Sequence, residues 1–297
     1  MTAAPCLRRL ERWMESSGAR LERVRYPRPA AGGETAAFRL SPSTDPRGRV
    51  VAVHGAGNDA LYPQVALFKA LLGRGFEVFA FDVDGHGAES TTVFSLPAVL
   101  DAVPAAVAEA ERRRADLPLH LVGHSFGGSL ALHALASGAV PHASSAVVLS
   151  SPTAVTLDSG IALAELRGFL RLATLAQREH YGLWGLVPAF GPVKRRAYPF
   201  RRSETSGGAF GYVGAINALL EELDLDHSAG SIGVPVLLVY GTRDRLVPPA
   251  QGERLAARLP HAEMMRIDGG SHWSTSLDPI AIERAAGWIE AHCGVAA

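Results

Sequence analysis

The chain has 297 residues with 29 basic and 29 acidic side chains, so its formal net charge is zero, and 47% of its residues are hydrophobic. This composition excludes an intrinsically disordered chain, and the length is sufficient for a full hydrophobic core. A net charge of zero argues against a general nucleic-acid binder, whose phosphate contacts need a basic surplus.

The sequence carries no signal for export, membrane spanning or metal-stabilised folding. Its first residues lack the apolar run of a signal peptide, and no stretch approaches the roughly 18 apolar residues of a membrane span. The cysteines, Cys6 and Cys293, match neither a disulfide framework nor a zinc site. We therefore expect a cytoplasmic protein without metal, nucleic-acid partner or stable membrane insertion.

The N-terminal part predicts a helix followed by a strand pair. Residues 5–17 place Leu7, Leu10, Trp13 and Met14 on one face of an amphipathic helix. Two alternating stretches, at 21–26 and 36–40, then flank a turn rich in glycine and proline, which is typical of paired strands.

A regular alternation of strands and helices begins near residue 49. Apolar strands are predicted at 49–54, 76–82, 119–124 and 145–149. Helices are predicted at 62–72, at 95–114 with a bend or interruption at Pro104, and at 126–137. Continuous apolar strands that alternate with helices indicate a mostly parallel sheet covered by helices on both faces.

The alternation stops after residue 152 and resumes near residue 231. The resumed part predicts a strand at 234–240, a helix at 250–259, a strand at 263–267 and a helix at 279–292. Between the two parts, helical stretches at 161–178 and 213–224 surround an aromatic segment rich in glycine and proline. An insertion of this size indicates a lid over the carboxyl ends of the strands, where α/β sheets bind ligands.

These patterns predict four consecutive regions. Residues 1–48 supply an N-terminal helix and strand pair that join the core, 49–152 form the first part of an α/β core, 153–230 form the lid, and 231–297 complete the core.

The segment GHSFGG at 123–128 carries the strongest chemical signal. It matches the nucleophile-elbow pattern G-x-S-x-G, and it lies between a predicted strand and a predicted helix, as that pattern requires. Ser125 is therefore the candidate nucleophile. The glycines before and after it leave room for a sharp turn, and the following helix directs its N-terminal dipole at the site.

A serine nucleophile needs a base, and His272 fits best because it follows the last predicted strand. The third member should be an acid that orients this imidazole, and Asp244 directly follows the strand at 234–240. Other aspartates fit less well. Asp158 follows an earlier strand, Asp268 lies close to His272 in sequence, and Asp224 and Asp226 fit a helix end.

Two backbone amides should stabilise a developing oxyanion. Phe126, the residue after the nucleophile, supplies the first. The second is assigned to Ala56 in the loop HGAG at 54–57, with Gly57 as the alternative.

Several features relate to the substrate less directly. Among the lid aromatics, Trp184 and Phe190 are the candidates for an acyl-binding pocket. The run KRRAYPFRR at 194–202 is interpreted as a solvated lid surface, with an anion-binding clamp as the alternative. His86 is interpreted as a structural residue near the site, and Asp59 as a cap of the next helix, with a substrate-binding role for Asp59 as the alternative.

The motifs HGAG at 54–57, DVDGHG at 82–87, GHSFGG at 123–128, GTRDRLVP at 241–248 and GGSHW at 269–273 resemble the α/β-hydrolase superfamily over roughly residues 50–292. The sequence resembles most the monoacylglycerol lipase and lysophospholipase branch, which is grouped with serine aminopeptidases. The resemblance implies a triad of Ser125, His272 and Asp244, no cofactor, and a lid that forms an acyl pocket. The loop at 54–57 lacks the proline typical of proline iminopeptidases.

The sequence thus predicts a serine hydrolase that cleaves small-molecule carboxylic esters with moderately apolar acyl groups. A thioesterase or amidase with the same triad is the first alternative, and a non-catalytic ligand-binding receptor is the second. The natural substrate and the oligomeric state do not follow from the sequence.

Overall fold

The computed structural model describes residues 5–87, 89–153 and 208–294. Eight strands form one sheet. In chain order they are β1 Arg20–Arg28, β2 Gly33–Ser41, β3 Gly48–Val53, β4 Phe76–Phe81, β5 Leu119–His124, β6 Ala143–Leu149, β7 Val236–Gly241 and β8 Ala262–Ile267. In space the order is β1-β2-β4-β3-β5-β6-β7-β8.

Helices connect and cover these strands. They are α1 Pro5–Ser17, α2 Val65–Gly73, α3 Leu96–Leu100, α4 Ala102–Glu111, α5 Phe126–Ala136, α6 Gly208–Leu223, α7 Leu225–Ser228, α8 Pro249–Ala256, α9 Ser274–Leu277 and α10 Pro279–Ala291. Within the described ranges, no helix is long and apolar enough to cross a membrane.

The sheet is mostly parallel, as the sequence predicts. β2 pairs antiparallel with β1 and with β4, whereas β4, β3, β5, β6, β7 and β8 form one parallel series. Parallel strands end at a common edge, so the loops after β3, β5 and β7 meet there. The predicted α/β-hydrolase architecture is therefore confirmed for the sheet and its helices.

The central strands are apolar throughout because both of their faces are covered. Neighbouring residues of one strand point to opposite layers, as the pleat requires. Val51 of β3 belongs to the core cluster that contains Leu130 of α5, whereas Val50 belongs to the cluster that contains Phe68 of α2 and Ile289 of α10. The sheet thus lies between two hydrophobic layers.

The N-terminal region extends this arrangement at one edge. Leu7, Leu10 and Met14 of α1 are buried in the layer that also contains α2. β1 is the outermost strand beyond β2 and pairs with it over its whole length.

The helical interruption predicted at Pro104 lies earlier, at Asp101, between α3 and α4. The prediction was wrong by three residues, for a simple reason. A proline has no N–H to donate four residues back, and its ring clashes with that carbonyl. The earlier helix therefore ends at Leu100, and Pro104 lies in the first turn of α4, where a proline is tolerated.

The structure describes only part of the predicted lid at 153–230. The helix predicted at 161–178 lies outside the described residues. The helix predicted at 213–224 corresponds to α6. Its residues Ile216, Leu219 and Leu223 are buried in the same core cluster as α5, so this end of the insertion packs on the α/β core.

Candidate active site

Ser125 occupies a sharp turn between β5 and α5. Its backbone has φ 53° and ψ −127°, a conformation that residues with a side chain rarely adopt. The Ser125 amide donates to the Leu149 carbonyl of β6 at 2.7 Å, which fixes the turn against the neighbouring strand. This strained geometry holds the hydroxyl at the carboxyl edge of the sheet, as a nucleophile elbow does.

The glycines around Ser125 are required by close backbone contacts. A Cβ atom on Gly123 would lie 2.5 Å from the Gly127 carbonyl oxygen and the Gly128 Cα. A Cβ atom on Gly127 would lie 2.3 Å from the Val53 carbonyl oxygen. Such distances are too short for any side chain, so the G-x-S-x-G pattern here reflects close backbone packing of the elbow, α5 and the end of β3.

Two hydrogen bonds join Ser125, His272 and Asp244 into one chain. His272 Nε2 lies 2.9 Å from Ser125 Oγ, and His272 Nδ1 lies 2.8 Å from Asp244 Oδ2. An ionised carboxylate only accepts, so Nδ1 carries a proton that it donates to Asp244. Nε2 is then left with a lone pair facing the serine hydroxyl, which is the arrangement that a general base needs.

Asp244 is held by its own loop, between β7 and α8. Its second carboxylate oxygen, Oδ1, accepts from the amides of Leu246 at 2.9 Å and Val247 at 2.7 Å. These donors orient the carboxylate and compensate for its burial. The sequence pattern gave no indication of this support, which depends on the conformation of the loop.

The other candidate aspartates have different positions. Asp268 accepts from the Thr242 hydroxyl at 3.3 Å, and Asp224 lies 2.6 Å from His227. Asp226 lies in the short helix α7, and Asp158 lies outside the described residues. Among the described aspartates considered, Asp244 is the one that contacts His272.

The loop after β3 runs directly over the serine. A Cβ atom on Gly55 would lie 3.2 Å from Ser125 Cβ. Phe126 is the first residue of α5, so its amide has no acceptor within the helix. The amides of Ala56 and Gly57 also lack an acceptor in the part of the chain that the structure describes. Amides without acceptors near a nucleophile are suited to binding an oxyanion.

Three further histidines surround this centre, and each is buried. The rings of His54 and His86 lie 5.1 Å apart, and those of His124 and His272 lie 5.2 Å apart. Burial disfavours the charged imidazolium, so it lowers the pKa of His54 to about 4 and the pKa values of His86 and His124 to about 3. These three side chains are therefore neutral at neutral pH. His86 packs against His54, and the structural role assigned to it stays a prediction.

Two carboxyl groups lie beneath the same loops. Asp82 accepts from the Ala60 amide at 2.9 Å and from the Ser90 hydroxyl at 3.0 Å. Burial and the neighbouring Asp59 carboxylate raise the pKa of Asp82 to about 7. Asp59 accepts from the amides of Leu61 and Tyr62 at 3.0 Å instead of capping α2, which begins only at Val65. The capping role predicted for Asp59 was therefore wrong.

Trp184, Phe190 and the basic run at 194–202 lie outside the described residues. For these the structure adds nothing to the sequence-based interpretation. Within the described ranges, no group of three or more His, Cys, Asp or Glu side chains is placed to hold a metal ion.

A serine at a strand-to-helix elbow, linked to a histidine and an aspartate from loops after later strands, is the arrangement found in α/β hydrolases. A family model described as the alpha/beta hydrolase fold matches residues 48–279. The chain therefore belongs to the alpha/beta hydrolase family.

Individual relatives agree with this membership. A pimeloyl-(acyl-carrier protein) methyl ester esterase from Xanthomonas campestris is 31% identical over 206 residues, which cover 66% of this chain and 78% of the relative. A monoacylglycerol lipase structure from Paleococcus ferrophilus has a TM-score of 0.60 at 23% identity and covers 86% of this chain and 98% of its own. A soluble variant of monoglyceride lipase from Saccharomyces cerevisiae has a TM-score of 0.66 at 19% identity, covering 92% and 95%. The two lipase structures support the fold.

Proposed function

We propose that the protein is a serine hydrolase that cleaves carboxylic esters through a covalent acyl-enzyme. The observation that carries this proposal is the hydrogen-bonded chain from Asp244 through His272 to the strained Ser125. The ester specificity is supported by the relative from Xanthomonas campestris, which is a methyl ester esterase.

In the acylation half, Ser125 Oγ attacks the ester carbonyl carbon while its proton passes to His272 Nε2. The carbonyl π bond opens, and the negative charge that develops on its oxygen is held by the Phe126 amide and the Ala56 amide, with Gly57 as the alternative to Ala56. His272 then protonates the leaving alcohol oxygen as the C–O bond breaks, which leaves the acyl group on Ser125.

In the deacylation half, water takes the place of the alcohol. His272 Nε2 removes a proton from this water, whose oxygen attacks the acyl carbon and forms a second oxyanion in the same position. The bond to Ser125 Oγ then breaks, His272 returns the proton to the serine, and the carboxylic acid leaves. Asp244 keeps its negative charge throughout and stabilises the imidazolium that forms twice in the cycle.

The substrate class follows from the insertion at 153–230, which we assign as a lid over the site. Its aromatic residues, among them Trp184 and Phe190, would line a moderately apolar acyl pocket, as a small-molecule acyl ester requires. Residues 1–48, 49–152 and 231–297 then form the core that carries the triad. The chemistry is complete with the side chains and amides named above, so we assign no cofactor.

The first test is hydrolysis of p-nitrophenyl esters from acetyl to palmitoyl. Ser125→Ala should abolish turnover, whereas the matched control Ser137→Ala, at the exposed end of the same helix, should keep it. Circular dichroism would establish that both variants are folded. The optimal chain length would give the depth of the acyl pocket.

Matched thioesters and amides separate the proposal from its alternatives. A higher kcat/KM for thioesters than for oxyesters of the same acyl group would replace the ester assignment with a thioesterase. If the wild type hydrolyses none of these substrates and a fluorophosphonate does not label Ser125, the serine hydrolase proposal is wrong. Saturable ligand binding without turnover would then favour a receptor.

A further inference from the structure

His54 follows β3 immediately and is 1% exposed. Both of its ring nitrogens have backbone partners. The Val83 amide donates to His54 Nε2 at 2.9 Å, so this nitrogen carries no proton. In a neutral imidazole the proton must then be on Nδ1, which lies 2.7 Å from the Gly55 carbonyl oxygen and donates to it.

The Gly55 carbonyl shares a rigid peptide group with the Ala56 N–H. In a trans peptide the C=O and N–H bonds point in opposite directions within one plane. A second donor, the Asn58 amide, reaches the same carbonyl at 3.2 Å. Two donors on the carbonyl fix the rotation of this plane, and they therefore fix the direction of the Ala56 N–H.

This peptide group lies at the nucleophile. A Cβ atom on Gly55 would meet Ser125 Cβ at 3.2 Å. On one side of this peptide group, the Gly55 carbonyl accepts two hydrogen bonds. On the other side, the Ala56 N–H has no acceptor among the described residues.

We propose that His54 is a positioning residue that orients the Ala56 N–H towards the oxyanion. This inference rests on the proposed function, because it assumes that the Ala56 amide binds the developing charge. His54 does not touch the substrate, and its contribution is confined to the step in which the oxyanion forms.

The surroundings of His54 support a fixed tautomer. Its ring packs edge-on against His86, with centroids 5.1 Å apart and an interplanar angle of 67°. Because burial lowers the pKa of His54 to about 4, its ring is neutral at neutral pH. A charged ring would be unable to accept from Val83.

Two amide variants separate the two ring nitrogens. His54→Asn keeps a donor near the position of Nδ1 and loses the acceptor for Val83. His54→Gln keeps an acceptor near the position of Nε2 and loses the donor to Gly55. Each variant loses one buried hydrogen bond, so each should lower Tm. They differ in whether the Gly55 carbonyl keeps its hydrogen bond from the side chain at position 54.

We expect His54→Gln to lower kcat by about 10- to 100-fold with KM changed less than about twofold, since the loss concerns the transition state. The inhibition constant of an alkyl trifluoromethyl ketone, which forms a tetrahedral adduct with Ser125, should rise by the same factor. The inhibition constant of the product carboxylate should not change. His54→Asn should keep most of the wild-type kcat, because it keeps the donor to the Gly55 carbonyl.

The inference is overturned if His54→Gln keeps kcat within about twofold of wild type, or if both variants lose activity in step with Tm. A nitrogen-15 spectrum of the wild-type histidines gives a test without any substitution, because the tautomer with the proton on Nε2 would also overturn it. Failure of the proposed function has a different signature, namely a wild type that neither turns over esters nor is labelled at Ser125.

Discussion

Two of the buried clusters that contain a charged side chain lie at opposite ends of the sheet. At the carboxyl ends of the strands, Asp244 and His272 are each almost fully buried and join Ser125. At the amino ends, Glu77 accepts from Arg49 Nε at 2.7 Å and from Arg39 at 2.9 Å. Arg49 and Glu77 are the second residues of neighbouring strands and face each other in register.

The two clusters differ in whether a proton can move. Both arginines also donate to backbone carbonyls, those of Ala110 and Arg114, and a guanidinium does not give up its proton. An imidazole, by contrast, can accept a proton on its free nitrogen and give it up again, and His272 Nε2 faces a hydroxyl held in a strained turn. Burial of charge therefore does not distinguish the candidate site by itself, whereas an imidazole beside strained backbone does.

Asp244→Asn should show the largest difference between the two clusters, because it should affect activity much more than stability. The amide can still accept from Leu246 and Val247, but it donates to His272 Nδ1 and so favours the wrong tautomer. We expect kcat for ester hydrolysis to fall about 10⁴-fold with little change in Tm. Asp268→Asn, which alters a contact with Thr242, serves as the control and should keep kcat. A loss of less than tenfold for Asp244→Asn would exclude it as the orienting acid.

Glu77→Gln should have the opposite effect. It leaves Arg39 and Arg49 buried without a neutralising charge, which costs about 3–5 kcal/mol when a buried pair is broken. Urea unfolding followed by circular dichroism measures this loss. At temperatures where the variant is folded, kcat should stay near the wild-type value, and a large drop in kcat would mean that the two ends of the sheet are coupled.

Glycine variants test the role of close backbone contacts. Gly123→Ala places a Cβ atom 2.5 Å from the Gly127 carbonyl oxygen, so the elbow must shift. We expect the free energy of unfolding to fall by about 1–3 kcal/mol, and we expect most of the esterase activity to be lost. Gly287→Ala, in α10, has no heavy atom within 4 Å of the added methyl group and should stabilise by about 1 kcal/mol. Unfolding and kinetic assays on the pair should therefore diverge, and equal behaviour would contradict the packing argument.

The pH dependence of stability should show opposing contributions from histidines and aspartates. His54, His86 and His124 have folded pKa values of about 4, 3 and 3, below the unfolded value of 6.5, so the unfolded state binds more protons and stability is lost as pH falls below about 6.5. Asp82 has a folded pKa of about 7, above its unfolded value of 3.8, so its contribution is lost as pH rises through about 4 to 7.

Replacing Asp82 with asparagine removes the contribution of this carboxyl group to the pH dependence of stability. In Asp82→Asn, stability should rise more steeply with pH between about 5 and 6.5, by about 1 kcal/mol per pH unit, because one proton no longer binds to the folded state. Urea midpoints at several pH values measure the slope. An unchanged slope would show that Asp82 is ionised across this range.

The positions of Ser125, Asp244 and His272 and of the parallel strands follow from the sequence because local patterns specify them. Ser125 lies in a motif that requires strand, turn and helix together, and Asp244 and His272 each follow an apolar strand. Local patterns do not predict the ion pairs of Glu77 with Arg39 and Arg49, because the three side chains come from three separate strands. The short helix α9 after His272 and the interruption at Asp101 depend on capping and on local clashes. The catalytic roles themselves stay predictions until the variants are measured.

The two outer strands of the sheet have consequences for how the chain behaves among its neighbours in a crowded solution. An unpaired strand edge invites addition of a strand from another molecule, which leads to aggregation. β1 exposes Arg20, Arg23 and Arg25 and contains Pro27, while β8, at the other edge, exposes the charged side chains of Glu263 and Arg266. Charges and a proline on an edge strand disfavour such addition. Replacing Arg20, Arg23 and Arg25 with valine should therefore promote self-association at high protein concentration. The kcat of the dilute protein should stay unchanged, because the candidate site lies at the end of β5, away from β1.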